Sequence, residues 1–218
     1  MFALGAGLLA WSLWAAGDGC AWQVALSRRL ASLVQRDQTG LAGGVAVAAR
    51  REAVGSGLVG RIEIPRLRLS AMIIEGTTPR ALRRGVGHVE HTAFPGERDN
   101  VGLAGHRDTF FRNLGRVRKG DLIQLRTPDG TFAYRVNAID VVSPDRSDLL
   151  GHTRHATVTL VTCYPFRWIG SAPDRFVVRA SSVKQPIEVQ QHEVAKANRI
   201  HARATPAFAA GRVRKSLT

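Results

Sequence analysis

A mostly-β fold, a barrel or sandwich with few and short helices, is what this sequence predicts. Three observations carry that prediction: many short strand-like runs, few helix-compatible stretches, and turn residues at regular spacing between the runs. The 218 residues suffice for one domain plus appendages, and a hydrophobic share of 44% supplies a core of normal extent.

Taken in order, Gly60-Arg61-Ile62-Glu63-Ile64 alternates as a strand and stops at Pro65. Leu67 to Ile74 reads as a second strand. Thr77 or Thr78 can cap a short helix that starts at Pro79 and runs through Arg84, because proline suits the first helical position. Val101–Ala104 is a short buried strand, and Thr109–Leu114 a helical turn. Asp121–Arg126 and Thr131–Val142 alternate and are joined by Thr127-Pro128-Asp129-Gly130, a sequence with turn chemistry at each position. Ala156–Thr162 has the β-branched composition of a buried strand, and Arg175–Ala180 completes the set.

The ends of the chain differ from this body. Phe2 to Ala16 is almost wholly apolar, with Trp11 and Trp14 near its end, and Asp18 interrupts it. Membrane helices need about 20 apolar residues, so residues 1–26 form an anchor of marginal length with no basic start. The expected arrangement is a single N-terminal anchor in the cell membrane with the body on the extracytoplasmic side. Arg28 and Arg29 alone would argue for the reverse topology. Residues 27–56 read as a stalk, helix-compatible over Leu26–Val34 and then Gly- and Ala-rich. The folded domain is expected over 57–183, followed by a polar, basic and aperiodic tail over 184–218, read as disordered.

A net charge of +14 suits an anionic membrane or envelope polymer. No basic helix interleaved with aromatics and no nucleic-acid module accompanies it, so nucleic acid is not an expected partner. The two cysteines, Cys20 and Cys163, stand in very different surroundings, which argues against a disulfide between them.

Cys163 follows the run Thr159-Leu160-Val161-Thr162 directly, so a rigid strand can aim its thiol. Free cysteines are usually buried and inert. Here Tyr164-Pro165-Phe166 ends the strand at once, and taken alone nucleophile and core residue stand even. His106 follows the apolar run Gly102-Leu103-Ala104-Gly105 at a polar break, where its ring faces solvent or a groove. Arg175 opens the last strand after Gly170-Ser171-Ala172-Pro173-Asp174. Its guanidinium offers a rigid fork of donors suited to a developing oxyanion. Asp108 and Asp174 either steer these groups or cap turns. His88 and His91, and His152 and His155, have His-x-x-His spacing, but no further ligand set completes a site and no metal is expected.

Together these motifs resemble the sortases, membrane-anchored cysteine transpeptidases. Thr159-Leu160-Val161-Thr162-Cys163 matches the family's Thr-Leu-x-Thr-Cys signature, and Arg175 follows at the family's distance. Gly105-His106-Arg107-Asp108-Thr109-Phe110-Phe111 is similar to the histidine motif of class D sortases, as are Cys163-Tyr164-Pro165-Phe166 and Gly170-Ser171-Ala172-Pro173. The resemblance covers about residues 57 to 183. It implies an eight-stranded sortase-type β-barrel with short helices, and three catalytic residues. Cys163 would attack the Thr–Gly carbonyl of an LPXTG-like sorting signal, Arg175 would hold substrate and oxyanion, and His106 would move the proton. Thr162, Leu103 and Ala104 would contact the substrate peptide. The implied partners are a substrate protein bearing that C-terminal signal and an amine acceptor, such as a peptidoglycan precursor or a pilin lysine. No cofactor is implied, and the scattered acidic residues predict calcium independence. A cysteine protease, hydrolysing the same type of bond, and a basic non-enzymatic envelope-binding module are the competing readings. The Ser-His-Gly-Cys context of an L,D-transpeptidase is absent.

Overall fold

A computed structural model describes residue 19 and residues 21–35 and 57–183. The apolar run Phe2–Ala16, Cys20 and the basic tail lie outside the described residues. Eight strands form a closed barrel: β1 (Leu58–Ile64), β2 (Leu69–Glu75), β3 (Val86–His88), β4 (Asn100–Ala104), β5 (Leu122–Thr127), β6 (Gly130–Val142), β7 (Thr157–Tyr164) and β8 (Asp174–Ser182). Their order round the barrel is β1-β2-β3-β4-β7-β8-β6-β5, closed by β1 against β5. All neighbours run antiparallel except β2 with β3 and β4 with β7.

Strand alternation builds the core. Ile62 and Ile64, Ala71 and Ile73, Val101 and Leu103, Ile123 and Leu125, Val158 and Leu160, and Val178 and Ala180 each lie two apart and share the inner cluster. Closure leaves no free sheet edge, so the backbone of every strand is paired on both sides.

Two local details depart from the sequence pattern. Leu67 does not open the second strand: Pro65–Leu67 forms a 3-10 turn, and Arg68 takes a left-handed conformation with φ 50° before β2 begins. The three-residue β3 has no alternation to announce it. It exists because β2 and β4 hold it from both sides, Ile73 to Glu75 opposite Val86 to His88 and Leu103 and Ala104 opposite His88 and Gly87.

The cap read at Thr78 is made: its Oγ1 accepts from the Ala81 backbone N–H at 3.2 Å, with Pro79 at the first position of helix α2 (Pro79–Arg84). The Thr127–Gly130 turn closes through Asp129 N–H donating to Thr127 Oγ1 at 3.1 Å.

A helix over residues 21–35, α1, packs on the outside of the barrel. Leu26, Leu30 and Leu33 recur at helical spacing and are buried. Leu26 and Leu30 cluster with Leu58 and Met72, the residues of β1 and β2 that point away from the main core. Gln23 bonds the edge with both ends of its amide, donating to Arg84 O at 2.6 Å and accepting from Met72 N–H at 2.9 Å. Arg84 stacks on Trp22 at 4.1 Å. Residues 27–35, read as the start of a stalk, thus lie against the domain. Among the described residues no helix is long and apolar enough to cross a membrane.

Candidate active site

Strand direction gathers the three residues singled out in the sequence. β4 and β7 are parallel, so both end at the same rim, and β8, antiparallel to β7, begins there. Cys163 is the next-to-last residue of β7, and its register partner is Arg175, the second residue of β8. Residues directly opposite on antiparallel strands bring their Cβ atoms to about 4.5–5.5 Å. Ala104, the last residue of β4, pairs with Val161, and His106 follows two residues beyond it at the same rim where β7 carries Cys163. The thiol is free and half-buried, and the His106 ring is half-buried too.

The turn that carries His106 is fastened to the strand that carries Cys163. Gly105 N–H donates to Val161 O at 3.1 Å, and Thr162 Oγ1 donates to Gly105 O at 2.7 Å. On the far side, Phe111 N–H donates to His106 O at 3.1 Å. Glycine is required at 105 by space: a Cβ there would lie 2.8 Å from the ring of Phe111, which is fully buried. Gly105→Ala is therefore expected to cost about 1–3 kcal/mol of stability, read by denaturant unfolding. It should also shift His106 away from Cys163.

Parity decides which neighbours face the site. Val158, Leu160 and Thr162 are buried and point inward, and Leu103 is fully buried with them. The side chains of Leu103 and Thr162 are buried on the inward side, and the Thr162 hydroxyl holds the histidine turn. Ala104 is half-buried on the outer face.

Beneath the rim, Tyr164, Phe166 and Phe176 form an aromatic cluster. The Phe166 and Phe176 rings meet edge to face at 5.2 Å, and Tyr164 and Phe176 stack at 6.2 Å. Arg175 turns its Nη1 to two nearby carbonyls, Ala172 at the end of the β7–β8 loop at 3.3 Å and Asp174, the first residue of β8, at 3.0 Å. Asp108 is exposed and its carbonyl accepts from Arg112; Asp174 pairs in register with Tyr164.

The sequence reading missed a polar system at the other end of β4. Thr159 Oγ1 donates to Asn100 Oδ1 at 2.8 Å, and Asn100 Nδ2 donates to the carbonyls of Leu149 and Gly151, both at 3.1 Å. These bonds tie the β6–β7 loop to β4 and β7. Asp99 adds to the tie, accepting from Thr153 N–H at 2.7 Å and facing His152 Nδ1 at 2.5 Å. The His152 bond, then the Thr153 and Asn100 N–H groups, pull the Asp99 carboxyl down to about 2; the same carboxylate raises His152. The depressed Asp99 stabilises the fold above its ordinary value near 3.9, and that contribution is lost as pH falls through about 2. The raised His152 stabilises below its ordinary value near 6.5, and that is lost as pH rises through its higher folded value. The Tm difference between the wild type and Asp99→Asn should therefore be largest between about pH 4 and 6.5 and shrink on either side.

The remaining paired histidine, His88, is buried in β3 with Nδ1 2.9 Å from Glu75 Oε2 and Nε2 2.9 Å from Ala93 O, a link between β2 and the β3–β4 loop. Among the described residues no three His, Cys, Asp or Glu side chains are grouped to hold a metal.

Comparisons with known proteins agree with this fold. The sortase-domain family model matches residues 62–183, more than half of the chain. Sortase D of Bacillus subtilis is 36% identical over 126 residues, which span 57% of this chain and 63% of that protein. Sortase SrtE1 of Streptomyces coelicolor is 34% identical over 125 residues, 48% of this chain and 35% of its own length. The matched stretch thus covers less than two thirds of either relative. Among solved structures, a Clostridium perfringens Sortase D5 transpeptidase superposes with TM-score 0.59 at 28% identity, covering 72% of this chain and 97% of that one. Sortase C of the same organism, solved with the C-terminal cell wall sorting motif, gives TM-score 0.54 at 33% identity, over 59% of this chain and 71% of that one. With its closed eight-stranded barrel and a family match that takes in β4, β7 and β8 entire, the chain belongs to the sortase family of cysteine transpeptidases.

Proposed function

We propose that this chain cleaves an LPXTG-like sorting signal between Thr and Gly and transfers the acyl product to an amine acceptor of the cell envelope. The observation that carries the proposal is the direct register of Cys163 with Arg175 at the rim where the His106 turn is bonded to β7. The Cys163 thiolate adds to the Thr carbonyl, forming a C–S bond, and the Arg175 fork stabilises the oxyanion. Collapse breaks the C–N bond, and the imidazolium of His106 gives its proton to the leaving Gly amine. An incoming amine then loses its proton to His106 and attacks the thioester; the C–S bond breaks, a new amide forms, and the thiolate and imidazolium are restored. Ala104, half-buried on the outer face of β4, lies beside the path of the peptide. Support for the substrate class comes from the C. perfringens sortase C solved with a cell wall sorting motif. The apolar run Phe2–Ala16 supports a membrane anchor with the barrel on the extracytoplasmic side.

The test follows cleavage of a fluorogenic LPXTG-type peptide library with and without an added amine, such as a glycine peptide. Amine-dependent conjugates support transpeptidation. Cleavage that yields only acid whatever amine is added would make the chain a cysteine protease, and no cleavage of any peptide by folded protein would overturn the proposal.

A further inference from the structure

The loop between β7 and β8 has two differently held halves. Its first residues are anchored by the aromatic cluster of Tyr164, Phe166 and Phe176. Residues 167 to 171 are exposed, Ile169 fully and Trp168 by half. What reaches them is Arg107, the residue after His106: its Nη2 donates to Trp168 O at 2.8 Å and to Gly170 O at 3.2 Å. The loop closes on itself through Trp168 Nε1, which donates to Ser171 O at 3.0 Å. Two residues later, the carbonyls of Ala172 and Asp174 receive the Nη1 of Arg175.

We propose that Arg107 is a positioning residue that holds the Arg175 guanidinium in place opposite Cys163 through the carbonyls of the β7–β8 loop. Two guanidinium groups repel, so neither can locate the other by contact. Carbonyl oxygens accept from both, and the short connection between β7 and β8, with an acceptor pair for each cation, passes position from one to the other. One end of this relay is covalently next to His106 and the other is Arg175 itself. The relay therefore sets the histidine wall and the arginine wall of the site as one unit. A second observation marks Arg107 as more than a surface charge: its Nη1 is enclosed and has no hydrogen-bond partner. Buried donors are nearly always paired, and an unpaired one in a native fold asks for a reason. Holding the fork in this orientation, with Nη2 aimed at both loop carbonyls, is that reason.

The role assigned to Arg175 in turnover rests on the transpeptidase reading, so the test has one arm without catalysis. In the full-length protein, alkylation of Cys163 is timed with anionic iodoacetate and neutral iodoacetamide, read at the Cys163 peptide by mass. Arg175→Ala should lower the iodoacetate-to-iodoacetamide rate ratio, because a cation opposite the thiol favours the anionic reagent. Arg107→Ala should lower it likewise, Arg107→Lys should restore it only in part because a single ammonium cannot reproduce the fork, and the double variant should equal Arg175→Ala alone. In the second arm, Arg107→Ala should lower kcat/KM for a cleaved peptide by about tenfold to a hundredfold, again with no further loss on top of Arg175→Ala. A wild-type ratio in Arg107→Ala, or additive losses in the double variant, would overturn the proposal. Coupled alkylation with no peptide cleaved would sink the transpeptidase reading and leave the relay standing.

Discussion

Cys163→Ala is expected to abolish peptide cleavage, by about 10⁴-fold or more, while leaving the fold intact. The thiol is the only group that the proposed chemistry bonds covalently, so nothing nearby can replace it. Its backbone is fixed independently: β7 is paired on both sides, to β4 through Asn100–Ala104 and to β8 through Asp174–Ser181. A half-buried thiol contributes little packing, so thermal unfolding of the variant should match the wild type within about 1 kcal/mol. Cys163→Ser should be nearly as inactive, because a hydroxyl in the same place is a weaker nucleophile at neutral pH. Substantial cleavage by either variant would move the nucleophile elsewhere.

Arg175→Ala should lower kcat by about 10² to 10³, the range for removal of an oxyanion donor. The guanidinium begins at the β8 residue opposite Cys163, and the next residue, Phe176, is buried in the barrel. The strand therefore stays put when the charge is removed, and the loss is chemical rather than structural. Arg175→Lys should recover only part of the rate, since an ammonium cannot present two parallel donors. An Arg175→Ala variant with unchanged kcat and a raised KM would reduce Arg175 to a substrate-binding group.

The strands that could be read in the sequence carry either an alternation between core and solvent or an apolar, β-branched run. The middle of β6, from Tyr134 to Asn137, alternates, while β7 and the Phe176–Ala180 stretch of β8 are marked by composition. β3 carries neither, because three residues make no pattern and its pairing comes wholly from its neighbours. The left-handed Arg68 was equally silent, since nothing about an arginine announces φ 50°.

At the site, Cys163 and Arg175 stand at strand ends as composition indicated, but their direct opposition is a matter of register that no single strand encodes. The inward turn of Thr162 was readable: in a strand, the neighbour of an outward-facing Cys163 faces in. The Asn100–Thr159 bond and the Arg107 clamp were not, because each joins residues about sixty positions apart in sequence to backbone or side chains brought near only by the barrel. Helix α1 was legible as helix-compatible, whereas its docking depends on Leu58 and Met72 facing outward, which a core-first reading of β1 and β2 hides.

The most direct test of the central claim is the intact mass of the protein mixed with a cleavable LPXTG-type peptide and quenched before turnover is complete. The expected result is an added mass equal to the peptide acid ending at its Thr less one water, located on Cys163 and released as an amide when an amine is supplied. Full cleavage with no covalent adduct, or an adduct on any residue other than Cys163, would contradict it.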